Sequence, residues 1–259
     1  MKEETTENGL SDYKSLVLPL CRELHLSGMK SRYEEVCNDP VWEQLPSEQQ
    51  LYDLLNHEKL KRSANTVLRL RRQSNLPSQL QAARFELIYA DNRRKWDKKI
   101  FNLISEGSWM TRESPADLVI SGPCGVGKSY VAACCANKMI DSKQSAYFVR
   151  AGRLFTDLRI HQANNTIEKR KSELKKVGVL VLDDFLIEDL SEADCADLLD
   201  IINERIDVRT TIFTSQFKLD GWLERLGNTP LTQAVIDRIR HSAYMLDIQG
   251  PSQRKTVQA

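Results

Sequence analysis

The chain has 259 residues, of which 41% are apolar and 28% charged, and its net charge is only +1. This composition supports a packed globular core, and no apolar stretch approaches the length needed to cross a bilayer. The start of the chain is polar and acidic, unlike a signal peptide, so we expect the protein to reside in the cytosol. Six cysteines occur without a C-x-x-C pair, which favours free thiols over disulfides or a zinc site.

The small net charge conceals two oppositely charged segments. Positions 1–58 contain five basic and twelve acidic residues, a net charge of −7, whereas positions 59–99 contain twelve basic and three acidic residues, a net charge of +9. A basic block of this kind is typical of a protein that binds a polyanion such as nucleic acid, although a solvated helix face has the same composition.

Residues 10–83 are predicted to be mainly helical, with breaks at 38–40, 46–47 and 77–78. Ser47 is a predicted N-cap, and the leucines that follow it have helical spacing before the chain enters an arginine-rich run. We therefore predict a small all-α domain over residues 1–83 and a second domain over residues 84–259. The residues predicted to contact DNA are Lys59, Lys61, Arg62, Arg69, Arg71 and Arg72; a helical scaffold with an unoccupied basic surface remains the alternative.

Residues 117–129 have the pattern of a strand, a phosphate-binding loop and a helix. The run fits the eight-position P-loop pattern at every fixed position, whereas an ordinary glycine-rich turn would need neither the lysine nor the serine. Glycines let the loop turn its amide groups toward phosphate, and the following helix presents its positive end to the same anion. The residues predicted to bind nucleotide here are Gly122, Pro123, Cys124, Gly125, Val126, Gly127, Lys128, Ser129 and Tyr130. Lys128 is expected to reach the β- and γ-phosphates of ATP.

Two adjacent acids end the apolar run at residues 177–182. A buried parallel strand ends in this way when it presents carboxylates at the carboxyl edge of a sheet. We predict that Asp183, opposite the Ser129 hydroxyl, holds Mg²⁺ and that Asp184 polarises the attacking water. A pair of surface acids that merely end a strand is the alternative.

Three further strands are predicted at 145–149, 210–215 and 243–248. Helices are predicted at 154–160, 167–176 and 229–241, and the four residues from Ser191 resemble a capping box that opens another helix. Strands alternating with helices predict an α/β fold with a five-stranded, mostly parallel sheet covered on both faces. Ser215 or Gln216, at the end of the fourth strand, is expected to reach the γ-phosphate or the water.

Further segments carry a family resemblance that covers nearly the whole chain. These are residues 26–30, 54–58 and the arginine-rich run near the front, and residues 214–217, Trp222, residues 234–243 and residues 250–255 near the end. Together with the nucleotide motifs, they resemble the AAA+ ATPases and, more narrowly, the IstB family of ATP-binding helpers of insertion-sequence transposases. The replicative helicase loaders of the DnaC type are related to that family.

The resemblance implies several roles. Ser215 or Gln216 would act as the strand-end sensor of the nucleotide, Arg238 as an arginine finger that a neighbouring copy inserts toward the γ-phosphate, and Arg254 as a C-terminal sensor. Position 184 is aspartate, whereas most AAA+ proteins have glutamate there, and the shorter acid would slow hydrolysis.

The leading hypothesis is an ATPase that uses ATP and Mg²⁺, forms homo-oligomers on duplex DNA, and recruits or activates a transposase. A replicative helicase loader is the nearest alternative. A small-molecule phosphotransferase and a nucleotide-gated scaffold without turnover are less favoured, the former because no arginine-rich lid insertion follows the phosphate loop.

Overall fold

A computed structural model describes residues 7–89, 94–110 and 115–253. The chain divides into two compact units, residues 1–69 and residues 70–259. The division lies inside a helix and earlier than the boundary predicted after residue 83. The physical reason is that residues 70–83 pack and hydrogen-bond within the second unit, where Leu70, Leu76 and Ala83 are buried.

The first unit consists of helices. Their bounds are α1 (Glu7–Glu23), α2 (Ser27–Val36), α3 (Pro40–Glu43) and α4 (Ser47–Gln73), the last of which continues into the second unit. The Glu58 carboxylate accepts hydrogen bonds from the backbone amides of Gly28 at 2.5 Å and Met29 at 2.9 Å, at the start of α2. Position 28 accepts only glycine without rearrangement, because a Cβ there would lie 2.7 Å from the Glu58 Cα.

The second unit is built on a five-stranded sheet. Its strands are β1 (Asp117–Ser121), β2 (Ala146–Arg150), β3 (Val179–Phe185), β4 (Thr210–Ser215) and β5 (Ala243–Asp247). The strand order is β2-β3-β4-β1-β5, and each neighbouring pair is parallel. All five predicted strands are therefore present, and the α/β class with a parallel sheet is confirmed.

Helices pack against the sheet, as a parallel sheet requires. The helices of this unit are α5 (Glu86–Tyr89), α6 (Lys98–Glu106), α7 (Lys128–Asp141), α8 (Ala151–Ala163), α9 (Ile167–Lys176), α10 (Glu192–Asn203), α11 (Trp222–Leu226) and α12 (Pro230–Ser242). The capping box predicted at the start of α10 is present, because the Ser191 hydroxyl accepts from the Asp194 amide and the Asp194 carboxylate accepts from the Ser191 amide.

Trp222 is fully buried against the sheet. Its ring lies 4.7 Å from that of Phe185 and 5.6 Å from that of Phe213, centroid to centroid, and its indole N–H donates to the Phe217 carbonyl. Trp222 therefore belongs to the core beneath β3 and β4.

The two remaining expectations concern cysteines and membranes. All six cysteines are free thiols. In the parts of the chain that the structure describes, no helix combines the length and apolar character that crossing a bilayer demands.

Candidate nucleotide-binding site

The loop between β1 and α7 depends on glycines at positions where a side chain would collide. Gly122 has a φ of 142°, and a Cβ there would strike the carbonyl oxygen of Ile248, just after β5. Gly125 and Gly127 have φ values of 81° and 103°, in the region that favours glycine. The backbone is thus held in the turned shape that a phosphate loop requires.

Lys128 begins α7 and folds back over this loop. Its ammonium donates to the carbonyl oxygens of Gly122 at 2.8 Å and Pro123 at 2.9 Å, and the residue is 6% exposed. A cation at a helix N-terminus, beside loop amides, forms an environment suited to polyphosphate. Phosphate oxygens are acceptors that could replace these two carbonyls.

Asp183 and Ser129 face each other across the site. The Asp183 carboxylate accepts hydrogen bonds from the Thr214 hydroxyl at 2.6 Å and from the Ser129 hydroxyl. Burial raises the pKa of Asp183 above its ordinary value, and the hydrogen bonds from Thr214 and Ser129 partly offset that effect. The carboxylate is therefore poised for a partner cation.

Asp184 has a left-handed backbone, with a φ of 55°. Its amide donates to the Thr214 hydroxyl at 3.0 Å, and its carboxylate lies 3.9 Å from the Arg150 guanidinium. Thr214 thus connects both acids, since its hydroxyl donates to the first and accepts from the second. Sequence reasoning did not assign a role to Thr214, because its contact with β3 depends on strand order.

The two candidates for the strand-end sensor occupy different environments. The Ser215 hydroxyl is fully buried, donates to the Phe185 carbonyl at 2.9 Å and accepts from the Phe217 amide. Gln216 is exposed and lines the cleft beside the phosphate loop. The arrangement therefore favours Gln216 as the group that meets a nucleotide, and Ser215 as a group that fixes the strand ends.

A cleft of about 470 Å³ joins these groups. Of the predicted residues, those that line it are Cys124, Gly125, Gly127, Lys128, Ser129, Tyr130, Asp183, Asp184 and Gln216. Gly122 and Pro123 contribute their carbonyls to Lys128, and Val126 is buried beneath the loop. The cleft thus unites the phosphate loop with the strand-tip acids, as the motif spacing predicts.

Five residues that sequence reasoning missed also line the cleft: Pro77, Gln79, Leu80, Arg150 and Gln253. Arg150 follows from strand pairing, because it is the register partner of Asp183. Gln253 belongs to a C-terminal strap, Gly250–Gln253, in which the Gln253 amide donates to the Gly125 carbonyl at 2.8 Å. No local sequence signal marks residues 77–80 as part of this wall.

Comparison with known proteins identifies the family. The model for the IstB-like ATP binding protein family matches residues 20–259. The chain belongs to this family. A candidate insertion sequence ATP-binding protein of Sinorhizobium fredii is 31% identical over 230 residues, which cover 89% of this chain and 92% of that protein. The candidate ATP-binding protein of insertion sequence IS1162 from Pseudomonas fluorescens is 31% identical over 194 residues, 75% of this chain and 82% of that one.

Solved structures agree on the fold of this IstB-like protein. The crystal structure of DnaI has a TM-score of 0.58 and 24% identity, and the similarity covers 68% of this chain and 95% of that one. The DnaC helicase loader has a TM-score of 0.51 and 22% identity, over 58% of this chain and 89% of that one. The AAA+ P-loop fold predicted from the sequence is confirmed.

The donor set of the IstB-like site fits Mg²⁺. Mg²⁺ prefers oxygen ligands and is usually held by one or two protein groups together with phosphates and waters. The Ser129 hydroxyl and the Asp183 carboxylate are two such oxygen groups at one edge of the cleft, and they already contact each other.

Neither of the two arginines predicted to act on the nucleotide, Arg238 and Arg254, is among the described residues that line this cleft. Arg238 is exposed on α12, where its guanidinium donates to the Asn203 side chain, and it is not among the described residues that line the cleft. This placement is compatible with action on another copy. Arg254 lies outside the described residues.

The six basic residues predicted to contact DNA all lie on α4, but their environments differ. Lys59, Arg69 and Arg72 are exposed. Lys61 donates to the Ser27 carbonyl at 3.0 Å, and Arg62 is exposed although its guanidinium pairs with Glu58 at 2.6 Å. Arg71 is bound by groups of the second unit.

Proposed function

We propose that this IstB-like protein is an ATPase of the cytosol that assembles on duplex DNA when ATP is bound and then recruits or activates a transposase. The observation that carries the proposal is one chain with both a cleft that joins the phosphate loop to the strand-tip acids and an exposed row of basic residues. The relatives named as insertion sequence ATP-binding proteins favour transposition as the setting.

The basic row lies along α4. Its members, Arg62, Arg69 and Arg72, are exposed and follow the spacing i, i+7, i+10, which keeps them on one side of a helix. Guanidinium groups in such a row can contact successive phosphates of a DNA backbone. Contacts of this type supply affinity without base specificity and weaken as salt rises.

Within the cleft, each side chain has a proposed role. Lys128 would exchange its loop carbonyls for β- and γ-phosphate oxygens, while Ser129 and Asp183 would hold Mg²⁺, which neutralises developing phosphate charge. Asp184 would orient the attacking water, and Gln216 would contact the γ-phosphate or that water.

Arg238 of a second copy would complete the site. A second cleft of about 660 Å³ opens beside the nucleotide cleft and shares Arg150 and Asp184 with it, so a side chain from outside has a route to the reacting phosphate. A finger supplied in trans makes hydrolysis depend on assembly, and hydrolysis would dissolve the oligomer. Arg254 stays a candidate C-terminal sensor.

The test is sedimentation of the protein with duplex DNA, with and without ATP, together with phosphate release. We expect ATP-dependent assemblies on DNA and faster phosphate release in its presence. Lys128→Ala should lose assembly, and Arg238→Ala should bind ATP but lose about 10³-fold in turnover. The proposal would be contradicted if the parent protein hydrolysed ATP equally fast as a monomer without DNA and in the presence of DNA.

A matched pair of triple variants tests the basic row. Replacing Arg62, Arg69 and Arg72 by alanine should weaken DNA binding and lower the salt dependence by about 3 in log–log slope. Replacing the exposed Lys95, Lys98 and Lys99 removes the same charge elsewhere and should have a smaller effect. Equal losses would mean that net charge, rather than the α4 row, binds DNA.

A helicase loader remains the second candidate, because DnaI and the DnaC helicase loader share the fold. Their identities of 24% and 22% support the fold alone, whereas the relatives at 31% carry insertion-sequence names. Pull-down with a transposase and with a replicative helicase from the same cell distinguishes the two clients.

A further inference from the structure

The segment that begins at the end of α4, residues 71–84, contacts the rest of the nucleotide-binding unit at several points. Helix α4 ends at Gln73, and residues 71–84 all belong to the second unit. Arg71, one residue before Arg72 of the row, directs its side chain into this unit. The end of the proposed DNA-binding helix is thus part of the ATPase core.

Asn137 is the centre of this attachment. It is fully buried on α7, its side-chain oxygen accepts from the Arg71 guanidinium at 2.8 Å, and its amide group donates to the carbonyls of Leu80 at 3.0 Å and Ala83 at 3.1 Å. A buried amide that has found partners on both its oxygen and its nitrogen tolerates little displacement, because each lost bond leaves a buried polar group unsatisfied.

The same guanidinium makes two further bonds. Arg71 donates to the Asp141 carboxylate at 2.7 Å and to the Gln81 carbonyl at 3.0 Å. Arg84 also pairs with Asp141, at 3.4 Å. The planar fork of arginine permits this combination of partners, which the single ammonium of lysine cannot reproduce.

Helix α7, which carries Asn137 and Asp141, begins at Lys128 in the phosphate loop. Asn137 lies nine residues further on, about 14 Å along the axis at 1.5 Å per residue. One continuous helix therefore joins the phosphate-binding lysine to the partner of Arg71, so a displacement of that helix would move both residues.

The segment also touches the sheet and the cleft. The Phe148 amide on β2 donates to the Ser74 carbonyl at 2.8 Å, and the Asn75 side chain donates to the Phe148 carbonyl at 2.9 Å. Pro77, Gln79 and Leu80 then form one wall of the nucleotide cleft. One short segment therefore links the end of α4 with the phosphate-loop helix, the edge strand and the cleft.

We propose that Arg71 is a positioning residue that couples the nucleotide site to DNA binding, by holding the end of α4 on Asn137 and Asp141 of the phosphate-loop helix. The inference rests on the proposed function, since it presupposes that ATP and DNA both bind. Coupling is reciprocal: ATP must change DNA affinity by the same factor as DNA changes ATP affinity.

The experiment compares Arg71→Ala with Arg72→Ala, adjacent substitutions that remove the same charge. DNA affinity is measured with and without a non-hydrolysable ATP analogue, and analogue affinity with and without DNA, all at one salt concentration. For the parent we expect both ratios to lie within about 5- to 150-fold and to agree. Arg72→Ala should weaken DNA binding equally in both nucleotide states, which leaves the ratio unchanged.

Arg71→Ala should bring both ratios to within about twofold of one, while analogue affinity without DNA stays within a few-fold of the parent. Arg71→Lys keeps the charge but not the fork, and it should lose coupling as well. If Arg71→Ala does not fold, Asp141→Asn at the exposed end of the attachment provides the same comparison, with a smaller loss of coupling expected.

The outcomes separate the two proposals. An unchanged ratio in Arg71→Ala and Arg71→Lys, in a parent that does couple ATP to DNA, overturns the role of Arg71 and leaves the proposed function intact. A parent without ATP-dependent DNA binding overturns both. Loss of coupling in Arg72→Ala to the same degree would assign the effect to charge and overturn the positioning role.

Discussion

A cation is buried at each end of the sheet, but one is enclosed by the protein and the other lies beside an open cleft. At the amino end, the Arg205 guanidinium is fully buried and donates to the carbonyls of Leu174, Val177 and Thr210 and to the Thr211 hydroxyl, at 2.5 to 3.0 Å. At the carboxyl end, Lys128 has two loop carbonyls beside an open cleft.

The difference separates stability from binding within one sheet. The partners of Arg205 are fixed by the packing of α9, β3 and β4, and burial lowers the pKa of Arg205 only to about 9, so the group remains a cation at neutral pH. The two carbonyls that Lys128 contacts belong to the phosphate loop, where phosphate oxygens could take their place. The amino end is therefore closed, and the carboxyl end is left able to exchange partners.

The largest expected effect is that of Arg205→Ala on folding. Its removal leaves several buried carbonyls without donors, and we expect the free energy of unfolding to fall by about 3–5 kcal/mol. Urea denaturation followed by circular dichroism measures this. Arg209→Ala, four residues on and only half-buried, is the matched control and should change it by about 0.5 kcal/mol or less. A similar, small change in both variants would contradict the distinction between the two ends.

Lys128→Ala should weaken ATP binding more than it lowers stability, the reverse of Arg205→Ala. ATP affinity should fall about 10- to 100-fold, because a charge-assisted bond to phosphate contributes about 1.5–3 kcal/mol. The free energy of unfolding should change less than in Arg205→Ala, since two carbonyls rather than several lose their donor and one of them belongs to the exposed Pro123. Titration with a fluorescent ATP analogue measures the affinity, and Lys138→Ala on the same helix is the control. Strong destabilisation by Lys128→Ala would mean that Lys128, like Arg205, mainly stabilises the fold.

Two truncations test the strap at the carboxyl end. A chain ending at Gly250 loses the bond from the Gln253 amide to Gly125, and a chain ending at Gln253 keeps it. We expect the shorter chain to bind ATP about fivefold more weakly than the longer one, the equivalent of one hydrogen bond of about 1 kcal/mol. Equal affinities of the two truncated chains would mean that the strap does not support the phosphate loop.

The last comparison is between two buried aspartates at opposite ends of the sheet. Burial raises the pKa of both Asp117 and Asp183. A carboxyl whose pKa is higher in the folded state favours folding while it is protonated, and this contribution disappears as pH rises through the folded pKa. Asp183→Asn removes the buried charge and should stabilise the protein at neutral pH by about 0.5–2 kcal/mol, with no gain at acidic pH, while Mg²⁺-dependent ATP binding is lost.

Asp117→Asn should gain less stability at neutral pH than Asp183→Asn. Burial raises the pKa of Asp117 too, but the nearby Arg205 cation favours its charged form. An asparagine loses that attraction together with one of the two acceptors that serve the Thr211 amide at 2.6 Å and the Ser242 hydroxyl at 2.7 Å. Thermal unfolding of both variants between acidic and neutral pH makes the comparison. Equal stabilisation by the two substitutions would show that the contacts of Asp117 contribute no more than those of Asp183.

What could be predicted from the sequence follows the same division. The phosphate loop, the paired acids and the five strands depend on short runs of residues. The five parallel strands are confirmed, and the loop and the acids lie together at one cleft, where their roles stay predictions. Arg205, in contrast, lies in a polar stretch that resembles a surface turn, and only its contacts with the carbonyls of Leu174 on α9 and Thr210 on β4 make it a core residue. Thr214 reaches the site because β4 lies next to β3, and Gln253 because the C-terminal strap passes over the phosphate loop. No local sequence pattern encodes either contact.

The left-handed backbone of Asp184 also explains why this position carries a short acid. Aspartate and asparagine visit that region several-fold more readily than other residues with side chains, because their polar groups bond locally. Replacing Asp184 by glutamate would lengthen the acid but add conformational strain of about 1 kcal/mol or more. The turn would therefore have to relax before it could accept a longer acid, so the shape of the backbone limits which acidic residues can occupy this position.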